Sequence, residues 1–215
     1  MEDSTTKEKI LKKIRLSLMN QSKEANKENI AIDLESDIYP TNYDDDTEVV
    51  FAQHFTDAGG KFIFCLDESE LKENLVSIAK ENKWKNIFCG ESGLSALLEN
   101  DEVEITNSLA LGTEFPEVAM VSCEVLISNI GGIIISSAQP QTRKTIGNFK
   151  NLLIFAQTAQ VCRNTKDGLK LIKQKFPNGL PSWTSIITCQ NESENHPEIF
   201  VFLLDSSSQE NLKNN

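Results

Sequence analysis

A few residues in three short stretches have the types and spacing to hold a small anion. Asn129, Gly131 and Gly132 lie in the turn of CEVLISNIGGIIISSA, Arg143 and Lys144 follow in TRKTIGNFK together with Lys150, and Gln157 ends the apolar run NLLIFAQ, with Gln160 just beyond. Adjacent glycines allow a ligand to rest against bare backbone amides. Guanidinium and ammonium groups accept a carboxylate or phosphate, and a side-chain amide at a strand end lines the same kind of cavity. The same letters also have a plainer reading. They describe a buried hairpin followed by an exposed loop whose charges are paired.

Other reactive residue types are less suggestively placed. Glu91 and Glu124 are the acids nearest to such a site, as a carboxylate nucleophile would have to be, but Glu124 directly precedes an apolar run and reads as a charge at a strand start. His54 stands three residues after Phe51 on an apolar helix, where a half-buried, hydrogen-bonded side chain is expected, and His196 precedes a proline. Ser128, Ser136 and Ser137 fall outside any Gly-x-Ser-x-Gly elbow and read as strand and turn serines. The five cysteines, Cys65, Cys89, Cys123, Cys162 and Cys189, form no C-x-x-C pair. They read as reduced thiols near a core, without iron–sulfur or zinc spacing. Neither a metal nor a redox cofactor is expected.

The whole chain bounds the partners. It has 215 residues, a net charge of −11 and a pI near 4.7. That balance argues against nucleic acid and anionic membrane as main partners, since both demand a basic face. No apolar run reaches the roughly 18 residues of a membrane span. The first residues, broken by Lys12, Lys13 and Arg15, lack a signal-peptide core, so a cytoplasmic address is expected.

Four segments follow from the patterning. Residues 1–19 carry a predicted helix from Thr6 to Met19, with Ile10, Leu11, Ile14 and Leu18 on one stripe. That stripe must be buried, either on this chain's own domain or on a partner. Residues 20–46 are a polar linker or arm in which IAIDL can lie against the main body. Residues 47–205 alternate apolar runs and helical stripes, the signature of a mostly parallel α/β sheet flanked by helices. Residues 206–215 read as a disordered tail. Within the domain, EFPEVAMVSCEVLIS reads as a helix and then a strand, and TKDGLKLIKQKF as a helix with Leu169, Ile172 and Phe176 facing in. The apolar runs Val125–Ile127 and Ile133–Ile135 are too close for a crossover and must form an antiparallel hairpin.

These blocks carry a resemblance. CEVLISNIGGIIISSA, then NLLIFAQTAQVCRNTKDGLKLIKQKFPNGLPSWTSIIT, then EIFVFLLD resemble, in order and spacing, the LUD domain family over roughly residues 47 to 205. The resemblance implies the Rossmann-like core of the NagB/RpiA/CoA-transferase-like superfamily. It implies an accessory subunit of a bacterial L-lactate utilisation system, which oxidises lactate to pyruvate. Such a subunit would have no redox cofactor of its own and would be partnered by iron–sulfur subunits. The superfamily also implies an alternative: an enzyme of the CoA-transferase or folate cyclo-ligase type that processes small acids or acyl esters. Two departures stand out. The family's Thr-Gly-Ser/Thr turn reads Ile130, Gly131, Gly132 here, after Asn129, and its Arg-Thr-x-Asp-Ile block is absent from the shortened loop QNESENHP. Arg143 stands nearest to the family's downstream arginine.

Overall fold

The computed structural model describes residues 46–107, 116–139, 148–189 and 197–206. The expected helix at 6–19, the arm up to residue 45, Arg143, Lys144, His196 and nearly all of the expected tail lie outside the described residues.

Apolar runs become strands and amphipathic runs become helices largely in the expected order. Helix α1 spans Thr47–Asp57, β1 Lys61–Cys65, α2 Glu68–Glu81, β2 Asn86–Cys89, α3 Ser92–Leu98 and β3 Glu104–Thr106. Next come β4 Val118–Ser122, β5 Val125–Ile127 and β6 Gly132–Ser136, with a 3-10 turn over Ser128–Ile130 between the last two. Strand β7 spans Asn151–Gln157, a second 3-10 turn Thr158–Gln160, β8 Val161–Cys162, α4 Thr165–Lys175, β9 Thr184–Ile187 and β10 Glu198–Leu204. Two helix starts follow their local chemistry. Asp67 accepts from the Glu70 amide at 2.9 Å, and Asn164 accepts from the Asp167 amide at 3.0 Å. Each such cap stabilises its helix by about 1 kcal/mol.

The strands sort into two sheets. Six strands in the order β1-β10-β7-β4-β2-β3 run parallel throughout, and four more form a smaller sheet, β8-β5-β6-β9, of mixed direction. This is a Rossmann-like α/β architecture with helices on the main sheet and a second sheet beside it. The expected hairpin is present: β5 pairs antiparallel with β6, with Val125 opposite Ile134 and Ile127 opposite Gly132.

Alternation along each strand divides the core. Ala119, Val121, Leu152, Ile154, Val201 and Leu203 pack with Phe51 and Phe55 of α1 and with Leu126, Ile133 and Ile135 of the small sheet. Their neighbours Val118, Met120, Leu153, Phe200 and Phe202 pack against Leu71 and Leu75 of α2 and Leu94 and Leu98 of α3. On the small sheet the opposite face, Val125, Ile127 and Ile134, packs against Ile172 of α4. Each fully buried aliphatic or aromatic side chain stabilises the fold by about 1.5–3 kcal/mol.

Three expectations change. Residues 118–122 form a buried parallel strand, not a helix, because pairing with both β2 and β7 outweighs the helix-forming tendency of Ala119 and Met120. Leu169 is not an inward residue of α4; it is 47% exposed, because the helix turns Gly168 toward Val125, Ile134 and Cys162, where an added Cβ would lie 3.3 Å from the nearest atoms. In α1, where the spacing in TEVVFAQHFTDAGG predicts Val50, Phe51 and Phe55 on one inward face, the buried face runs through Val49, Phe51, Ala52 and Phe55, leaving Val50 only half-buried.

Candidate functional site

Parallel α/β sheets place ligands at the carboxyl ends of their strands. Here two of those ends feed the second sheet. Strand β4 stops at Ser122 and passes through Cys123 and Glu124 into β5, while β7 stops at Gln157 and passes through the second 3-10 turn into β8. The junction is therefore polar, and its described side chains bond chiefly to one another.

Glu124 is its centre. The residue directly precedes β5, as the sequence suggests, but it is only 4% exposed. A buried carboxylate is costly unless paired and hydrogen-bonded. Both oxygens are occupied: the Ser136 hydroxyl donates to one at 2.6 Å, and the Lys175 ammonium, from the last turn of α4, meets the other at 2.6 Å. Ser136 is held in turn, its amide donating to the side-chain oxygen of buried Gln139 at 2.8 Å. Gln160 donates to the carbonyls of Cys123 and Glu124 at 2.7 and 3.3 Å, which fixes the backbone under the carboxylate. A neighbouring carboxylate, Glu91, caps the end of β4, accepting from the Ser122 amide at 2.7 Å and its hydroxyl at 2.6 Å.

This arrangement presents one buried carboxylate in a single orientation, flanked by a hydroxyl and a cation. The Lys175 side chain remains 56% exposed, so solvent reaches the pair from the α4 side. Attack by Glu124 on an acyl carbon would require Lys175 to release one oxygen. The thiols are poorly suited to nucleophilic work. Burial pushes Cys65, Cys89, Cys162 and Cys189 up to about 11, and burial, reinforced by the Glu124 charge, raises Cys123 as well. All five are free thiols. Among the described residues, no group of three His, Cys, Asp or Glu side chains could hold a metal ion.

The residues expected to hold an anion are scattered. Gly131 does adopt the left-handed conformation, at φ 56° and ψ 31°, which only glycine enters freely. The space above it is filled by protein: a Cβ there would lie 2.7 Å from the Phe55 amide and 2.9 Å from the His54 carbonyl carbon. At Gly132 a Cβ would meet Ile130 at 2.8 Å and Ile186 at 3.2 Å. The glycines thus admit helix α1 and two isoleucines, where the sequence suggested a ligand floor. The Asn129 amide donates to the Arg163 carbonyl at 3.1 Å, and its side-chain oxygen is buried with no bond among the described residues. Gln157 and Gln160 cap the second 3-10 turn reciprocally, so Gln157 serves backbone geometry. Lys150 precedes the first residue of β7 and pairs with Glu117 at 2.9 Å, at the opposite end of that strand from Gln157. Seven extended residues separate the two ends by about 20 Å, so Lys150 and Gln157 do not share a cavity. Arg143 and Lys144 lie outside the described residues.

His54 behaves as expected: half-buried, with Nδ1 2.7 Å from the Ser128 carbonyl. The sequence reading missed the part played by Ser136 and Lys175. One signal for Glu124 was present, an acid set between Cys123 and Val125, both of which need burial. Nothing local could name Lys175, which lies 51 residues downstream. Away from this junction, an open groove of about 450 Å³ between α3 and β3 is lined by Ser92, Ser95, Asn100, Glu104 and Asn107 and includes no expected site residue.

No protein-family model matches the chain, and no curated protein matches it. Among solved structures, it resembles the crystal structure of a DUF162 family protein from Deinococcus radiodurans. The TM-score is 0.60 at 14% sequence identity, covering 74% of this chain and 96% of that one. The two proteins share a fold.

Proposed function

We propose that this chain is a LUD-type domain acting as an accessory subunit of an L-lactate-oxidising system in the bacterial cytoplasm. On this reading it binds iron–sulfur partner subunits and a small anion, and brings no redox cofactor of its own. The observation that carries the reading is the fold shared with a DUF162 protein over almost the whole of that protein, because DUF162 is the LUD domain family. The ordered blocks of the sequence support it independently. The test is co-purification from the native host with a tag on the full chain. An iron–sulfur protein should be recovered with it, and lactate-dependent dye reduction should need both components. Recovery without such a partner, or lactate turnover by the purified chain alone, would overturn it.

A specific observation favours a second reading, an enzyme of the CoA-transferase or cyclo-ligase type acting on a small acid or acyl ester. Glu124 is a buried carboxylate beside the strand ends, with a cation and a hydroxyl in reach. Thermal-shift measurements with lactate, pyruvate, CoA esters and folates separate the two readings, since tight binding to the folded state raises stability. A large shift with a CoA ester or folate that Glu124→Gln abolishes selects the enzyme. No shift beyond that of a small acid leaves the subunit reading standing.

A further inference from the structure

Helix α4 is held to the domain by less than α1 or α2. Along its eleven residues only Gly168 and Ile172 are buried, whereas α1, of equal length, buries Val49, Phe51, Ala52 and Phe55. Helix α2 buries Leu71, Leu75 and Ala79. Gly168 lets α4 lie close on the small sheet, since a Cβ there would stand 3.3 Å from both Cys162 and Ile134. It has no side chain to bury, however, and it weakens the helix interior. The two leucines of α4 add little anchorage: Leu169 is 47% exposed and Leu171 is 37% exposed. Phe176, just past the last turn, is half-buried on the same cluster as Ile172.

The connections of α4 are loose as well. Upstream, β8 is two residues long and pairs only with β5, at the edge of the small sheet. Downstream, Pro177, Asn178, Gly179 and Leu180 are all exposed, and Gly179 takes φ 146° with open space around it. The chain is fastened again at Ser182, whose hydroxyl lies 3.1 Å from that of Ser137, and at Trp183, whose carbonyl accepts from the Ser137 amide at 2.9 Å. Between these points, the C-terminal end of α4 is tied down by a polar contact, the Lys175 ammonium 2.6 Å from the Glu124 carboxylate. A segment with few buried apolar contacts opens at a lower free energy than the whole domain unfolds.

We propose that α4 is a lid on the small sheet, latched by Lys175 on Glu124, that opens while both sheets stay folded. Opening uncovers the Glu124 carboxylate and the Cys162 thiol, which lies under Gly168. The lid is a property of the fold and holds under either reading of the function; under the second, it is the movement that frees Glu124 to react. Amide exchange of the full chain, followed by mass spectrometry at urea concentrations below the unfolding transition, tests this. In the unaltered chain, amides of residues 169–176 should exchange at least about tenfold faster than those of β7 and β10, at a rate that urea hardly changes. Lys175→Met should speed exchange in α4 about tenfold more, whereas Lys175→Arg, which keeps a cation for Glu124, should stay within about twofold of the unaltered rate. Alkylation of Cys162 should outpace that of fully buried Cys65 at least about tenfold. Exchange in α4 that tracks β7 and β10 at every urea concentration would overturn the proposal, because the helix would then leave only when the domain unfolds. That measurement needs no variant, so it decides even where a substitution fails to fold. Cys162 no more reactive than Cys65, or opening that Lys175→Met leaves unchanged, would equally overturn it.

Discussion

The six-stranded sheet and its junction with the smaller sheet are stabilised by different means. In the main sheet, both faces are apolar, and most residues of the inner strands β10, β7, β4 and β2 are buried. Stability there is spread over many side chains, each contributing through area removed from water. At the junction, a few polar atoms hold the small sheet and a helix together: Glu124 before β5, Ser136 at the end of β6 and Lys175 at the end of α4. The first kind of region tolerates exchange of one apolar residue for another of similar volume. The second depends on the identity of single atoms, as a binding or catalytic centre does.

Substitutions can break or sharpen this contrast. The largest effect is expected in the main sheet, where Phe202→Ala should destabilise the protein by about 3–5 kcal/mol in urea unfolding, because Phe202 is fully buried between α2 and its neighbouring strands. Next is Gly131→Ala, which should cost about 2–3 kcal/mol, since it forces a left-handed φ and sets a Cβ 2.7 Å from the Phe55 amide. If instead this variant were neutral, α1 would not be seated on the turn as described.

Third, Lys175→Met should cost about 1–2 kcal/mol, a figure reduced from that of a fully buried pair because the lysine is half-exposed. Adding Glu124→Gln should recover part of that loss, because no charge is then left buried alone. A double-mutant cycle that shows no coupling would place the junction in the same class as the main sheet. A fourth measurement concerns alkaline pH. Burial raises Cys65 and Cys89 from 9.0 to about 11 in the folded chain. A group whose folded value is raised contributes stability that is fully present below the unfolded value and is lost as pH rises through the folded one. Unfolding free energy should therefore fall between pH 9 and about 11, less steeply in Cys65→Ala. The smallest effect belongs to Lys150→Ala, whose ion pair with Glu117 is exposed on both sides. It should change stability by less than about 0.5 kcal/mol.

The same contrast explains what could be read in the sequence. Runs such as NLLIFAQ and EIFVFLL announce buried strands because both of their faces need apolar cover, whereas KFIFC is a strand as expected but lies at the sheet edge with only Cys65 buried. The Val125–Ile135 hairpin was legible because so short a link leaves no alternative. Strand β4 was not, because Ala119 and Met120 also suit a helix and the strand is specified by neighbours far along the chain. The two-residue β8 and the three-residue edge strand β3 carry too few letters to form a pattern. For the site, the glycine pair was visible but its purpose was not, since nothing near Gly131 says that Phe55 will occupy the space above it. Glu124, Ser136 and Lys175 meet only through tertiary packing.

One contact carries a mechanical meaning. The Ser128 hydroxyl grips the Thr47 carbonyl across 81 positions of sequence, and His54 binds the carbonyl of the same serine. The first turn of α1 is thus latched to the tip of a distant hairpin. A tug transmitted through the upstream polypeptide would arrive first at that latch, well before it strained the sheet.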